Sequence, residues 1–135
     1  MLVAMQLPPD KPLVLDIGGE GRHPQAWNLN RSRVKTCGPD AGQPIPRHLA
    51  GRADQIPLPD ASVDEIIVER TPLSRAVLLE IRRVLVPGGS LTLRHAIPPR
   101  IDPHALARQT LGQAGETEYV TVAARVLQQT RFVLA

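Results

Sequence analysis

The chain has 135 residues, of which 42% are hydrophobic, and it carries a formal net charge of +3. This length suits one domain with a buried core. Aromatic residues make up only 2% of the sequence, so the chain has no row of aromatic side chains on which the bases of a single-stranded nucleic acid would stack. A single cysteine, Cys37, excludes an internal disulfide and a cysteine metal cluster. We therefore predict a protein that binds neither nucleic acid nor metal.

The sequence shows no pattern for membrane insertion or export. No apolar run approaches the ~20 residues that a helix needs to cross a bilayer, and no signal-peptide pattern precedes the first predicted strand. We therefore predict a cytoplasmic protein without membrane contact. Pro8, Pro9 and Pro12 disfavour a helix at the start of the chain. This predicts a flexible lead-in over residues 1–11 and a single domain over residues 12–135.

The segment with the clearest chemistry is LVLDIGGEG at residues 13–21. Its apolar start predicts a buried strand over residues 13–17, of the type found at the centre of a parallel sheet. Asp16 lies near the end of this strand, and three glycines follow it. Glycines allow a tight loop whose backbone can approach a bound small molecule closely.

The second strand has two alternatives, AWNLN at residues 26–30 and RVKTC at residues 33–37. Glycine and proline predict a loop over residues 38–47, and a third strand is predicted over residues 48–52. The sequence VDEIIV at residues 63–68 predicts the fourth strand.

Two helices are predicted in the second half of the chain. Ser74 is the predicted N-cap of a helix over residues 75–85, whose apolar residues recur every three or four positions. The Pro-Gly-Gly turn at residues 87–89 is predicted to end this helix before a fifth strand at residues 91–95. The second helix is predicted over residues 102–112, with an aspartate as its cap and a proline at its first position.

The chain closes with a predicted antiparallel pair of strands, residues 119–126 and 131–134, joined at residues 127–130. Strands that alternate with loops and helices predict an α/β sheet. Two helices are too few to cover both faces of a parallel sheet, so we predict a homodimer that covers the open face. The alternative is that the loop at residues 31–47 folds down and covers this face itself.

Four segments occur in an order that resembles a known family. They are LVLDIGGEG (13–21), AWNLN (26–30), ADQIPLPDASVDEIIV (53–68) and EIRRVLVPGGSLTL (80–93). Over residues 12–95 the sequence resembles the class I S-adenosylmethionine-dependent methyltransferases, and especially their small members. The resemblance implies a Rossmann-like fold with a mostly parallel sheet, an antiparallel C-terminal strand and few helices. It also implies S-adenosylmethionine as cofactor, and a small-molecule or macromolecular methyl acceptor.

The resemblance places the cofactor across the carboxyl ends of the first three strands, where open parallel sheets bind ligands. Backbone N–H groups of the glycine loop suit the methionine carboxylate. Asp16 suits the methionine ammonium or the ordering of the loop. The implied cofactor-binding residues are Asp16, Gly18, Gly19, Asn30, Asp54, Gln55 and Ile56.

Three features depart from the family pattern. Glu20 and Arg22 replace loop glycines, and Glu20 disfavours the methionine carboxylate unless it turns away or pairs with Arg22. Asn30 replaces the acid that holds both ribose hydroxyls, so its hydrogen bonds lack charge assistance. Arg52 stands where an aspartate would accept from the adenine amino group, a role that Asp54 takes only if the loop is shifted.

Glu69 and His95 end the fourth and fifth strands and are the candidates for a general base. His104 is predicted to be an ordinary surface residue. The predicted function is S-adenosylmethionine-dependent methyl transfer to an unidentified acceptor. The alternative is a degenerate, non-catalytic methyltransferase-like protein that serves as a binding or partner module. A dinucleotide-binding fingerprint does not fit, because Pro24 occupies its third glycine position.

Overall fold

The computed structural model describes residues 7–97 and 102–135, so residues 1–6 of the predicted lead-in lie outside the described residues. The elements in chain order are β1 (Val14–Ile17), β2 (Trp27–Asn30), β3 (His48–Ala50), β4 (Val63–Glu69), α1 (Arg75–Val84), β5 (Leu85–Ala96), α2 (Pro103–Leu111), β6 (Glu116–Val122) and β7 (Arg125–Val133). One sheet contains the strands in the order β3-β2-β1-β4-β5-β7-β6. Strands β1 to β5 are parallel, whereas β7 is antiparallel to β5 and to β6. The predicted fold class is confirmed.

Of the two candidates for the second strand, the structure has AWNLN as the strand. Residues Trp27–Asn30 form β2, and Leu29 pairs with Ile17 of β1. Residues 33–37 lie instead in the long loop, where Val34 makes an isolated bridge with Pro44. Burial explains the outcome, because Leu29 is buried between its neighbouring strands whereas Val34 is exposed.

Helix α1 begins where the sequence predicts and ends one residue earlier. The Ser74 hydroxyl accepts a hydrogen bond from the Val77 N–H, as an N-cap does. The helix was predicted to run to Leu85 and to stop at the Pro-Gly-Gly turn, and this is wrong. Leu85 pairs with Val63 of β4, so the chain is already extended before Pro87 and the turn lies within β5.

Helix α2 is confirmed, with Asp102 as N-cap and Gly112 as C-cap. The predicted closing strands have the wrong register. The turn lies at Ala123 and Ala124, whose φ angles are 49° and 63°, and not at residues 127–130. Two consecutive residues at positive φ form a tight hairpin turn, for which Ala-Ala is not a recognisable sequence signal. Residues 127–130 are part of β7, where Leu127 and Thr130 are buried.

The two faces of the sheet differ in what covers them. One face carries the apolar core, in which Leu15, Ile66 and Leu91 pack with residues of α1 and with Ala107 of α2. The opposite face carries Val14 and Ile67, which are half-buried. Within residues 7–97 and 102–135, no helix lies on that second face. None of the helices in these ranges has the length and apolar character needed to span a bilayer.

Candidate functional site

A pocket of about 650 Å³ lies at the carboxyl ends of β1, β2 and β4. Strand order reverses between β1 and β4, and open α/β sheets bind ligands at such a point. The lining residues come from the glycine loop, the end of β2, the loop at residues 31–47 and the end of β4. They are Gly18, Glu20, Gly21, Arg22, Asn30, Lys35, Thr36, Cys37, Pro39, Asp40, Glu69, Arg70, Thr71 and Pro72.

The glycine loop is shaped by close contacts within the protein. Gly18 has a φ of +73°, and a Cβ there would lie 2.6 Å from Thr71 Oγ1. A Cβ on Gly19 would lie 2.3 Å from Asn28 Oδ1. Both positions therefore require glycine before any ligand is considered.

Several N–H groups of this loop already have partners. Gly18 donates to the Leu29 carbonyl at 2.8 Å, and Gly21 donates to Asn28 Oδ1 at 3.2 Å. In the part of the chain that the structure describes, the N–H groups of Glu20 and Arg22 have no hydrogen-bond partner. These two groups are the donors that the loop leaves for a bound anion.

Asp16 lies beneath the loop and is fully buried. Arg22 holds its carboxylate through two bonds, Nη2 to Oδ1 at 2.9 Å and Nε to Oδ2 at 3.1 Å. Burial raises the pKa of the Asp16 carboxyl, and the Arg22 guanidinium opposes that rise. The structure therefore gives Asp16 a clear role in ordering the glycine loop through Arg22.

Glu20 turns away and does not pair with Arg22. Its carboxylate accepts from the Thr36 N–H at 3.0 Å and from the Thr36 hydroxyl at 2.6 Å. These bonds lower the pKa of the Glu20 carboxyl. They also fasten the loop at residues 31–47 to the glycine loop, so that Lys35 and Asp40 form part of the pocket wall.

Asn30 lies at the pocket, but its amide already has partners. Its Nδ2 donates to the Gly19 carbonyl at 3.1 Å, and its Oδ1 accepts from the Ser32 N–H at 2.9 Å. The side chain thus braces the glycine loop from the end of β2.

The three predicted cofactor-binding residues that follow β3, Asp54, Gln55 and Ile56, do not line this pocket. Asp54 and Gln55 are exposed, and Asp54 pairs with Arg52 at 2.8 Å. Ile56 is 3% exposed, and its N–H donates to Glu80 Oε1 at 2.9 Å. The structure therefore gathers Gly18, Asn30 and Glu69 around one pocket, with Asp16 and Gly19 directly behind it.

Glu69 ends β4 inside a ring of cationic or ionisable side chains. It is 6% exposed. Its oxygens lie 3.4 Å from Arg94 Nη1, 3.4 Å from His23 Nε2 and 3.7 Å from Arg22 Nε. Its carboxylate lines the pocket beside Arg70.

His95 lies in a second pocket of about 410 Å³ that adjoins the first at Arg70, Thr71 and Pro72. Its Nε2 lies 2.7 Å from the Thr71 carbonyl oxygen, and its Nδ1 lies 2.9 Å from His104 Nε2. A carbonyl oxygen only accepts, so Nε2 carries the proton and the Nδ1 lone pair faces His104. Burial lowers the pKa of His95. This geometry leaves His95 without a free lone pair for a general base.

Sequence reasoning missed two residues of this region. His104 was predicted on the surface, but it is 0% exposed, so that prediction is wrong. The ring is buried because α2 packs it between His95 and Thr130. Thr71, shared by both pockets, carries no motif that would have identified it. Among the described residues, no group of three or more His, Cys, Asp or Glu side chains is arranged to hold a metal ion.

Comparisons with known proteins agree on the fold. No protein-family model and no curated protein matches the sequence. Among solved structures, a possible histamine N-methyltransferase from Thermotoga maritima matches with a TM-score of 0.69 and 17% identity, covering 96% of this chain and 84% of the other.

Two further solved structures match over similar shares of the chain. A complex of the Trm112 methyltransferase activator and a putative methyltransferase from Haloferax volcanii has a TM-score of 0.61 and 17% identity. The match covers 92% of this chain and 82% of the other. A variant of the 16S rRNA (adenine(1408)-N(1))-methyltransferase from Catenulisporales acidiphilia, with cosubstrate SAM, has a TM-score of 0.60 and 17% identity. The match covers 93% of this chain and 85% of the other. The chain therefore has the fold of the class I S-adenosylmethionine-dependent methyltransferases.

Proposed function

We propose that this protein binds S-adenosylmethionine in the pocket of about 650 Å³ and transfers its methyl group to an acceptor. One observation carries the proposal. The pocket lies where the strand order reverses between β1 and β4, and the glycine loop after β1 forms its wall. Solved structures of the same fold include a methyltransferase with its cosubstrate SAM.

The pocket suits the cofactor in size and charge. Its volume lies within the range of pockets that hold small-molecule ligands, roughly 300–1,000 Å³. Its charged residues are of both signs, as a zwitterionic methionine group requires. They are the acidic Glu20, Asp40 and Glu69 and the basic Arg22, Lys35 and Arg70. The unpartnered N–H groups of Glu20 and Arg22 are the proposed donors to the methionine carboxylate.

The remaining predicted residues keep roles within this proposal. Asp16 orders the loop through Arg22, and Gly19 lets Asp16 and Asn28 come close to the loop backbone. Asn30 contacts the ribose side from the end of β2, while it holds the Gly19 carbonyl. We also propose that Asp54, Gln55 and Ile56, which follow β3 outside the pocket lining, contact the part of the cofactor that extends beyond the pocket.

Bound S-adenosylmethionine supplies an electrophilic methyl group, and the chain's own residues orient the acceptor towards it. Arg70 and Thr71 border both pockets, so the adjoining pocket of about 410 Å³ is the proposed acceptor side. Glu69 is the proposed general base for an acceptor that needs one, because both nitrogens of His95 are engaged. The acceptor is a small molecule or a macromolecule whose identity these residues do not define.

A cytoplasmic homodimer is part of the proposal. The sheet face on which no helix of the described residues lies supports self-association, because helices normally cover both faces of parallel strands. A second copy is the proposed cover of this face.

Isothermal titration calorimetry with S-adenosylmethionine and S-adenosylhomocysteine tests the proposed function. We expect one site per chain for both ligands and no heat with NAD, the control for dinucleotide binding. Absence of binding by both sulfur ligands would overturn the proposal. It would favour the non-catalytic alternative. The structural argument for that alternative is that Arg22 already forms an ion pair with the Asp16 carboxylate, which is then not free to bind a methionine ammonium.

A further inference from the structure

A chain of hydrogen bonds runs from α2 through the closing hairpin to the end of β4. Its links are Arg108 Nη2 to Thr117 Oγ1 (2.9 Å), Thr117 Oγ1 to Thr130 Oγ1 (2.9 Å), Thr130 Oγ1 to His104 Nδ1 (2.7 Å), His104 Nε2 to His95 Nδ1 (2.9 Å) and His95 Nε2 to the Thr71 carbonyl (2.7 Å). Thr130 and His104 are 0% exposed, so the centre of this chain is shielded from water.

The carbonyl at the Thr71 end of this hydrogen-bond chain determines the direction of its bonds. An arginine only donates, so Thr117 accepts from Arg108, and its own hydroxyl proton is free to be donated to Thr130. Thr130 in turn donates to His104 Nδ1, which leaves the ring proton of His104 on Nε2. At the other end the Thr71 carbonyl only accepts, so His95 also carries its proton on Nε2. The Nδ1 lone pair of His95 then accepts from His104 Nε2, so the Thr71 carbonyl fixes the same tautomer for both neutral rings, and the Arg108 end is compatible with it.

The charged groups near the rings do not disturb this arrangement. Asp102, the N-cap of α2, acts electrostatically on both rings, Arg108 acts on His104, and Arg22 and Glu69 act on His95. Burial lowers the pKa of both imidazoles, to about 4 for His104. A neutral imidazole has one N–H donor and one lone-pair acceptor, so two neutral rings allow all the hydrogen bonds of this chain to point in the same direction.

The chain ends at a residue that touches the proposed cofactor pocket. The Thr71 hydroxyl lies 3.2 Å from two carbonyl oxygens, those of Ile17, the last residue of β1, and of Glu69, the last residue of β4. A Cβ on Gly18 would meet the same hydroxyl, so Thr71 packs directly against the glycine loop. Thr71 also lines both pockets. A shift of its backbone would therefore move the wall that the two pockets share.

We propose that His95 and His104 are positioning residues, which hold the Thr71 carbonyl by a one-way chain of hydrogen bonds anchored at Arg108. The chain ties α2 and the β6–β7 hairpin to the glycine loop. For its effect on ligand binding, this inference rests on the proposed function. For the state of the rings and of Thr71, it stands on the hydrogen bonds alone.

The direction of the chain is tested by NMR of the imidazole nitrogens in the full-length protein. We expect both rings to be neutral with the proton on Nε2 at pH 7. In Thr130→Val the Nδ1 signal of His104 moves to that of a free lone pair, whereas Thr130→Ser retains the wild-type signal. A proton on Nδ1 of either ring, or a change of tautomer in Thr130→Val, would overturn the proposed direction.

The positioning role is tested with a pair of variants at His95. His95→Phe keeps the ring volume and removes the donor to Thr71, whereas His95→Gln carries an amide N–H that reaches the same place. We expect the carbonyl ¹³C shift of Thr71 to move in His95→Phe and to stay in His95→Gln. His95→Phe loses one hydrogen bond, so we expect it to bind S-adenosylhomocysteine about tenfold more weakly than wild type. His95→Gln restores that hydrogen bond, so we expect its affinity to lie within about twofold of wild type.

The two readouts separate the possible failures. If wild-type protein does not bind S-adenosylhomocysteine, the proposed function fails, and the Thr71 shift still decides the positioning role. If the ligand binds but His95→Phe has the Thr71 shift and the affinity of wild type, the positioning role is overturned. If His95→Phe does not fold, the smaller apolar His95→Leu, which also lacks the donor to Thr71, replaces it in both measurements, with His95→Gln as its partner and the same expected contrast.

Discussion

Arg22 lies across the buried carboxylate of Asp16 and binds both of its oxygens, at 2.9 Å and 3.1 Å. By residue type alone, either Glu20 or Asp16 is a suitable partner for this arginine. The structure resolves the choice through burial. Asp16 is fully buried and needs a counter-charge, whereas Glu20 is near the surface and binds Thr36. Arg22 therefore makes the glycine loop stable and places a guanidinium where a bound ammonium would otherwise approach Asp16.

Replacing this arginine is expected to destabilise the fold. Arg22→Met leaves Asp16 buried without its partner, and we expect a loss of about 2–3 kcal/mol in the free energy of unfolding at pH 7, since Arg22 itself is 31% exposed. Chemical denaturation measures this loss. The same change in an Asp16→Asn background should cost much less, and Arg75→Met on the exposed face of α1 is the control. An equal cost in both backgrounds would contradict the pairing.

The glycine loop gives a second prediction. Gly18→Val forces a side chain into left-handed backbone at φ +73° and against Thr71, so we expect binding of S-adenosylhomocysteine to be lost. Calorimetry measures the affinity. Gly88→Val is the matched control, because Gly88 has a φ of +81°, a Cβ there would meet nothing within 4 Å, and the residue is not part of the pocket lining. Wild-type affinity in Gly18→Val would place the ligand elsewhere.

The elements that could be predicted are those with strong local signals. The apolar run before Asp16 and the serine cap of α1 identify β1 and α1, because burial and capping are decided within a few residues. The hairpin turn at Ala123 and Ala124 has no such signal, and only the pairing of β7 with β5 determines its register. The contact of His104 with His95 is likewise invisible in sequence, since it depends on how α2 packs.

Asn30 lines the pocket, but its side chain makes hydrogen bonds that the family resemblance does not predict. Family resemblance alone suggests that Asn30→Asp would tighten cofactor binding by restoring a charged acceptor. The structure reverses this expectation, because the Asn30 amide donates to the Gly19 carbonyl and a carboxylate would face that oxygen instead. The bonds of this amide are tertiary contacts that no motif records.

We therefore expect Asn30→Asp to bind S-adenosylhomocysteine roughly five- to tenfold more weakly, the effect of one lost hydrogen bond. Calorimetry measures the change. Gln109→Glu, on the exposed side of α2, makes the same amide-to-acid change away from the pocket and should bind like wild type. Tighter binding by Asn30→Asp would show that the side chain leaves Gly19 and grips the ribose.

The buried histidines predict how stability depends on pH. The pKa of His104 falls from 6.5 to about 4 on folding. Between these two pH values the unfolded chain therefore binds a proton at His104 that the folded chain does not bind. Stability is complete above pH 6.5 and decreases as the pH falls to about 4, by about 3 kcal/mol from this group. His95 acts in the same direction.

Denaturation curves at several pH values between 4 and 7 measure this dependence. His104→Gln removes the titrating ring, so its stability should vary less over the same interval, although it is lower at pH 7. Carboxylates that titrate near pH 4 are present in both proteins and cancel in the comparison. Parallel pH profiles for the two proteins would contradict the assignment.

The open face of the sheet leads to the last prediction, which concerns the oligomeric state. The loop at residues 31–47 is held at the pocket by the bond between Glu20 and Thr36, while Val14 and Ile67 on the helix-free face stay half-buried. Val14 and Ile67 on this face border a groove of about 270 Å³. These two side chains form a short apolar strip, and we propose it as the contact between copies in a two-fold dimer, the simplest closed form.

We expect light scattering at micromolar concentration to give about twice the chain mass of 14.7 kDa. Ile67→Glu places a charge in the centre of the strip and should yield the monomer without unfolding it. Leu79→Glu makes the same kind of change at an exposed position on α1, on the covered side, and should leave the dimer intact. A wild-type mass near 14.7 kDa, unchanged by S-adenosylhomocysteine, would contradict the dimer. Dissociation by both variants would show that the copies meet through another surface, because only Ile67 belongs to the strip.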